Sequence, residues 1–123
     1  MTSEIVVETE STDIGIDLNG TDISSEILNE IPFESRVSTW GDEIYFAVPV
    51  EASAEKPTRD VHVGDVAYWP KGKSLAIFFG PTPQSDGDQP VPADDVSIVG
   101  TVSTDIKDLD NVEAGESITI QES

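Results

Sequence analysis

The segment from Gly64 to Pro83 constrains the fold of this chain more than any other. It contains half of the aromatic residues, and two apolar runs, Val66–Trp69 and Leu75–Phe79, flank Pro70-Lys71-Gly72. Apolar runs on both sides of a tight turn predict a β-hairpin. Within that turn, Gly72 is expected to take the left-handed backbone conformation that glycine adopts most readily.

Short apolar runs bounded by glycine, proline and aspartate recur along the rest of the chain. One helix is predicted to begin at Thr21 or Asp22 and to end at Pro32, because Ile23, Ile27 and Ile31 fall on one face. About eight strands and no regular alternation of strand and helix imply a mainly antiparallel sheet, which hides its edges by closing into a barrel. Residues 1–123 are expected to form a single domain. The other predicted elements are strands near residues 4–8, 14–18, 43–48, 61–69, 96–102 and 118–120, and a helical turn at 105–111.

The chain is strongly acidic, with 25 Asp and Glu residues against 6 Lys and Arg and a net charge of −19. Such repulsion destabilises a compact state unless counter-ions screen it. A salt-rich cytoplasm provides that screening, so a halophilic cytoplasmic protein is predicted. Residues 36–85 are nearly neutral, with six acids and five bases, and most of the aromatic residues lie there. A binding surface is therefore expected in this central part.

Several function classes are excluded by what the sequence lacks. There is no cysteine for a disulfide, a thiolate nucleophile or a zinc site, and the one histidine, His62, has no nearby nucleophile for a triad. The absence of a basic stripe argues against nucleic acid, and no segment approaches the ~20 apolar residues of a membrane span. The aspartates at 86–88 and 108–111 lack the full calcium-loop pattern, so no metal or cofactor is predicted.

Four motifs in order carry a resemblance to a known family: WGDEIYF at 40–46, GDVAYWPKG at 64–72, FFGPTP at 78–83 and VSIVGTV at 96–102. Together they make residues 4–120 resemble the cyclophilin-like family of small prokaryotic proteins, which are atypical relatives of the peptidyl-prolyl isomerases. The resemblance implies a cyclophilin-type barrel of eight strands. In true cyclophilins a peptide lies in a shallow groove on the outer face of that barrel.

Aromatic side chains stack well on proline rings, so the motifs also supply candidate groove residues. Strand residues alternate between faces, so Tyr68 and Trp69 point in opposite directions, as do Phe78 and Phe79. About half of the aromatic residues therefore belong to the core. The predicted ligand-binding residues are Trp40, Tyr45, Tyr68, Trp69, Phe79 and Thr82.

Two residues are candidates for catalysis. True cyclophilins hydrogen-bond the substrate with an arginine in a Phe-His-Arg context, which this chain lacks. Arg36, just before the Trp40 motif, is better placed for that role than Arg59. Glu43 is the second candidate, because an acid is disfavoured inside a strand.

Two functions remain open at this stage. The first is binding of a proline-containing peptide segment or similar ligand in a shallow aromatic groove, with weak or absent isomerase activity. The alternative is a small-molecule-binding or structural interaction module that shares only the barrel. Convergence of Arg36, Arg59, Tyr68 and Phe79 on one outer groove would favour the peptide, and scattering would count against it.

Overall fold

The computed structural model describes residues 3–53 and 55–123, which form one antiparallel sheet and one α-helix. The mainly β fold predicted from the sequence is confirmed, with nine strands instead of about eight. The strands are β1 (Ser3–Glu8), β2 (Asp13–Leu18), β3 (Phe33–Arg36), β4 (Ser38–Thr39), β5 (Glu43–Ala47), β6 (Asp65–Trp69), β7 (Ser74–Phe78), β8 (Ser97–Val102) and β9 (Ser117–Glu122). The helix is α1 (Asp22–Glu30), and 3₁₀ turns span Pro70–Gly72 and Ile106–Asn111.

The sheet is rolled into a nearly closed barrel. Its strand order is β3-β9-β1-β2-β8-β6-β7-β5-β4, so the two edge strands follow one another in the chain. The Ser35 hydroxyl on β3 donates to the Ala47 carbonyl on β5 over 2.7 Å, which joins the two ends of the sheet. Closure of this kind removes exposed strand edges.

Alternating side chains of the strands fill the barrel. Ile5, Ile16, Phe46 and Ile77 are at most 1% exposed and belong to one continuous apolar cluster. Fully burying one such side chain stabilises the fold by about 1.5–3 kcal/mol. The inner face of the sheet is therefore the main source of stability.

Helix α1 begins and ends where the sequence predicts. The Thr21 side chain accepts a hydrogen bond from the Ser24 backbone N–H at 3.3 Å, which satisfies one of the unpaired donors of the first turn. Ile23 and Ile27 are buried against the barrel, and Pro32 lies beyond the end of the helix. None of the helices in residues 3–53 and 55–123 has the length and apolar content that crossing a membrane requires.

Two local predictions are wrong. Residues 61–63 do not begin a strand, because Gly64 has a φ of +95° and the Asp65 carboxylate accepts from the His62 N–H at 2.8 Å, which closes a turn instead. The left-handed residue of the β6–β7 hairpin is Lys73, with a φ of 47°, and not Gly72. The 3₁₀ turn shifts that conformation one position along the chain.

Candidate functional site

The strands β5, β6 and β7 carry apolar side chains on both faces. Their inner face belongs to the barrel core, and their outer face forms a second, smaller apolar cluster. The register places Glu43 opposite Phe78 and Tyr45 opposite Ala76 on that outer face. The residues of the second cluster are Val61, Ala67, Ala76, Phe78 and Val96, with Tyr45, Trp69 and Ile98 packed against them.

A cavity of about 220 Å³ opens above this second cluster. We call it the aromatic pocket. It is larger than the ~150 Å³ cavity that holds benzene and smaller than the ~300 Å³ at which drug-sized sites begin. It therefore fits one small molecule or one inserted side chain. Its lining residues are Trp40, Glu43, Tyr45, Trp69, Ala76, Phe78, Pro92, Ala93, Asp94 and Val96.

Two aromatic rings form perpendicular walls of the pocket. The rings of Tyr45 and Trp69 meet edge to face, with centroids 6.0 Å apart and planes at 88°. The Trp69 indole N–H donates to the Asp94 carboxylate at 3.2 Å, and the Lys71 ammonium donates to the same carboxylate at 3.4 Å. These bonds tie the segment at residues 92–96 to the β6–β7 hairpin and fix the orientation of the indole.

Glu43 is the one carboxylate among the described residues that the fold buries almost completely, with 7% of the residue exposed. Gly41, with a φ of +60°, makes a tight turn in which Trp40 and Glu43 exchange backbone hydrogen bonds of 2.9 and 3.2 Å. This pairing places the two side chains together at one end of the pocket. Removal from water raises the pKa of the Glu43 carboxyl to about 7, and no hydrogen bond from the described residues counteracts that effect.

Half of the residues singled out in the sequence meet in the aromatic pocket. Trp40, Glu43, Tyr45 and Trp69 all line it. Three of them are aromatic and the fourth is the buried acid. They are brought together by two hairpin turns and by the pairing of β5 and β6 with β7.

The other predicted site residues lie elsewhere. Tyr68 points into the barrel, is 0% exposed, and donates its hydroxyl proton to the Val50 carbonyl at 2.7 Å. Phe79 packs against the barrel core, and the hydroxyl of the buried Thr82 donates to the Val91 carbonyl at 2.5 Å. All three side chains have structural partners and none lines the aromatic pocket, whereas the sequence suggested that they bind a ligand.

The two arginines are also outside the aromatic pocket. The exposed Arg36 on β3 donates to the Gly115 carbonyl at 3.2 Å, and Arg59 pairs with Asp95 at 2.8 Å. Arg36, Arg59, Tyr68 and Phe79 therefore scatter, and of the two catalytic candidates only Glu43 lines the aromatic pocket. The scattering counts against the peptide hypothesis.

Six lining residues of the pocket were missing from the predicted site. Ala76 and Phe78 were detectable, because strand alternation and pairing with Tyr45 and Glu43 put them on the same face. Val96 begins the strand predicted near 96–102 but was also missing from the predicted site. The pocket is closed from the side by Pro92, Ala93 and Asp94, which no periodic signal marks.

The lack of a side chain at Gly72 leaves room for the Trp69 ring, which forms one wall of the aromatic pocket. A Cβ atom at this position would overlap the Trp69 ring. We expect Gly72→Ala to push the indole out of place and to cost about 1–3 kcal/mol of unfolding free energy. Gly87→Ala is the matched control, because no atom lies within 4 Å of the added methyl group. Urea unfolding and tryptophan emission measure both effects, and equal stability of the two variants would contradict the prediction.

Comparison with known proteins gives similarity over nearly the whole chain. A family model described as cyclophilin-like matches residues 3–121. The solution structure of a hypothetical protein from Archaeoglobus fulgidus is similar at 32% sequence identity and a TM-score of 0.85, over 99% of this chain and 95% of that one. No curated protein matches the sequence. The similarity therefore covers the strands that build the aromatic pocket as well as the motifs at its rim.

Proposed function

The chain belongs to the cyclophilin-like family, and from this premise we propose that it binds a small organic ligand in the aromatic pocket around Glu43. The observation that carries the proposal is an apolar cavity of about 220 Å³ into which the largely buried Glu43 carboxyl group opens, with no hydrogen-bond donor from the described residues. Apolar pockets with a few convergent polar groups are the usual form of small-molecule sites.

The state of Glu43 supports a binding role over a structural one. Buried polar groups that serve only stability are almost always hydrogen-bonded, as the Tyr68 hydroxyl is in the barrel core. Glu43 instead has a pKa raised to about 7 by desolvation. Retaining a carboxyl group at such a cost is typical of functional sites. A bound ligand would supply the missing partner.

Peptidyl-prolyl isomerisation is not part of this proposal. Twisting an X-Pro bond requires the enzyme to favour the rotated amide, and the resemblance assigns that task to an arginine. Among the residues lining the aromatic pocket in the described chain there is no arginine. A proline-containing peptide remains the second candidate ligand, because the half-buried Trp40, Tyr45 and Trp69 leave the pocket open to solvent and one side chain could enter it.

A small neutral aromatic probe tests the proposal. We expect benzyl alcohol to bind with a dissociation constant of order 1 mM, about 0.5 kcal/mol for each of its non-hydrogen atoms. Chemical shifts of the Trp40 and Trp69 indole N–H groups should follow the titration. Ala93→Phe, which adds a ring at the exposed rim, should weaken binding by at least about tenfold.

Ala47→Phe is the control, because Ala47 is exposed on β5 and does not line the aromatic pocket. It should leave the affinity unchanged. Equal affinities of the Ala93→Phe and Ala47→Phe variants would contradict the proposal. A tetrapeptide with a central Ala-Pro bond can be tested as a competitor of benzyl alcohol. If it displaces benzyl alcohol when its own concentration is the lower of the two, the result would favour the peptide candidate.

A further inference from the structure

We infer that the aromatic pocket selects an organic cation, a protonated or quaternary amine with a small apolar body, and that the Glu43 carboxylate is its counter-ion. The inference rests on the proposed function, since it names the ligand class of the same pocket. It follows from the chemistry of the lining: one unpaired buried acid, three polar-tipped aromatic rings and no free cationic side chain.

No cationic side chain among the described lining residues balances the charge of Glu43. The Glu43 residue is 7% exposed, and none of the ion pairs among the described residues includes it. An ionised carboxylate in an apolar site is costly unless a positive charge accompanies it. Lys71, which contacts the lining residue Asp94, is engaged by that carboxylate at 3.4 Å. The positive charge must therefore come from the ligand.

Aromatic rings form the walls of the pocket beside Glu43. A cation held within about 6 Å of an aromatic ring is attracted by the ring's electron density, most strongly by tryptophan. Trp40, Tyr45 and Trp69 all line the space beside Glu43, and the perpendicular planes of the last two present different ring orientations to a ligand. Such a combination of rings and one carboxylate is suited to an ammonium group.

The charged groups around Glu43 disfavour anionic ligands. Titratable groups that face Glu43 are Tyr45 on the same strand and Asp94 on the segment across the pocket, while the lining residues of β6 and β7 are Trp69, Ala76 and Phe78. Asp42 is adjacent in the chain but its carboxylate lies against Gly80. An anion would meet two carboxylates here on a chain whose net charge is −19. Repulsion disfavours anionic ligands.

A neutral ligand that accepts a hydrogen bond from protonated Glu43 is the alternative, and pH separates the two. The cation needs the ionised carboxylate, so its affinity rises with pH, whereas the hydrogen-bond acceptor needs the protonated form and its affinity falls. Benzyltrimethylammonium keeps its charge at every pH. Its affinity should increase about tenfold between pH 6 and pH 8, the ratio of ionised fractions for a carboxyl of pKa near 7.

The experiment is a titration of the protein with benzyltrimethylammonium, benzyl alcohol and phenylacetate at pH 6 and pH 8, with fixed KCl. At pH 8 we expect the cation to bind at least tenfold tighter than the alcohol and phenylacetate not to bind. Glu43→Gln should remove the pH dependence and the preference for the cation, yet retain benzyl alcohol binding. Glu34→Gln is the control, because it changes the net charge equally at an exposed position on β3.

The outcomes separate this inference from the proposal beneath it. Benzyl alcohol binding without a preference for the cation, or cation affinity that falls with pH, overturns the inference and leaves a neutral-ligand pocket. A pH dependence of cation affinity that persists in Glu43→Gln also overturns the inference, because it would come from a group other than Glu43. His62, which lies outside the pocket and is present in every variant, would be such a group. Failure of all three probes to bind overturns the proposed function as well.

Discussion

The melting temperature of this protein should rise by about 10 °C or more between dilute buffer and 2 M KCl. The chain carries a net charge of −19, and the described residues contain only three ion pairs formed by Lys or Arg, all between side chains at least partly exposed. Added salt shortens the Debye length from about 10 Å at 0.1 M to about 3 Å at 1 M, which suppresses repulsion across the surface. Thermal unfolding at a series of KCl concentrations measures the rise.

Part of this repulsion has a local source that mutation can isolate. The β1–β2 register places Glu8 opposite Asp13 and Glu4 opposite Asp17, and like charges directly opposite each other destabilise a sheet by about 0.2–1 kcal/mol. Asp13→Lys converts one repulsive pair into an attractive one. Glu34→Lys makes the same charge change opposite Thr119. The first variant should be the more stable in dilute buffer, and the gap should close in KCl.

A melting temperature that does not respond to KCl would contradict the predicted adaptation to salt. In that case the acidic composition would have to be compensated within the fold. The Glu4 carboxylate shows what such compensation looks like, since hydrogen bonds from Ser123 and Ser103 lower its pKa. A few groups of this kind are too few to offset repulsion among all the acids.

The barrel could be predicted from the sequence because its information is local. The helix start at Thr21, the stop at Pro32 and the hairpin around Pro70 each depend on residues within a few positions of one another. Alternation then assigned Tyr68 and Trp69 to opposite faces, and the structure confirms this, with Tyr68 in the core and Trp69 in the pocket.

The aromatic pocket could be predicted only in part because its remaining wall comes from a distant, irregular segment. Thr58 and Val96 exchange backbone hydrogen bonds of 2.9 and 3.0 Å, and Gln89 donates to the Val61 carbonyl at 3.1 Å. These contacts hold residues 92–96 over the outer face of the sheet. Contacts between irregular segments leave no periodic trace in a sequence. Arg36 was chosen on the family resemblance and not on a local pattern, and its position on β3 lies outside the aromatic pocket.

The second large effect should come from Glu43→Gln. We expect the change in unfolding free energy that this substitution causes to be more stabilising at pH 8 than at pH 4 by about 3 kcal/mol. The pKa of the Glu43 carboxyl rises from 4.5 to about 7 on folding. Each unit of such a shift corresponds to about 1.4 kcal/mol. A raised acid pKa means that the folded protein holds a proton that the unfolded chain has released, so the free energy of unfolding falls as pH rises from about 4.5 to 7. Glutamine has nearly the same shape as glutamate but does not titrate, so it causes no such fall in the free energy of unfolding.

Urea unfolding of the wild type and of Glu43→Gln, at pH 4, 6 and 8 in the same concentration of KCl, measures this effect as a difference that grows with pH. The amide of glutamine brings its own desolvation cost, but that cost is independent of pH and leaves the slope unaffected. Glu4 and Glu116, whose carboxyl pKa values are lowered by hydrogen bonds, favour the opposite slope but are present in both proteins and cancel. Glu34→Gln, at an exposed position, should show no growth. A Glu43→Gln difference that stays constant from pH 4 to pH 8 would mean that water or a partner reaches this carboxylate, and the pocket would then lack the buried charge on which its ligand preference depends.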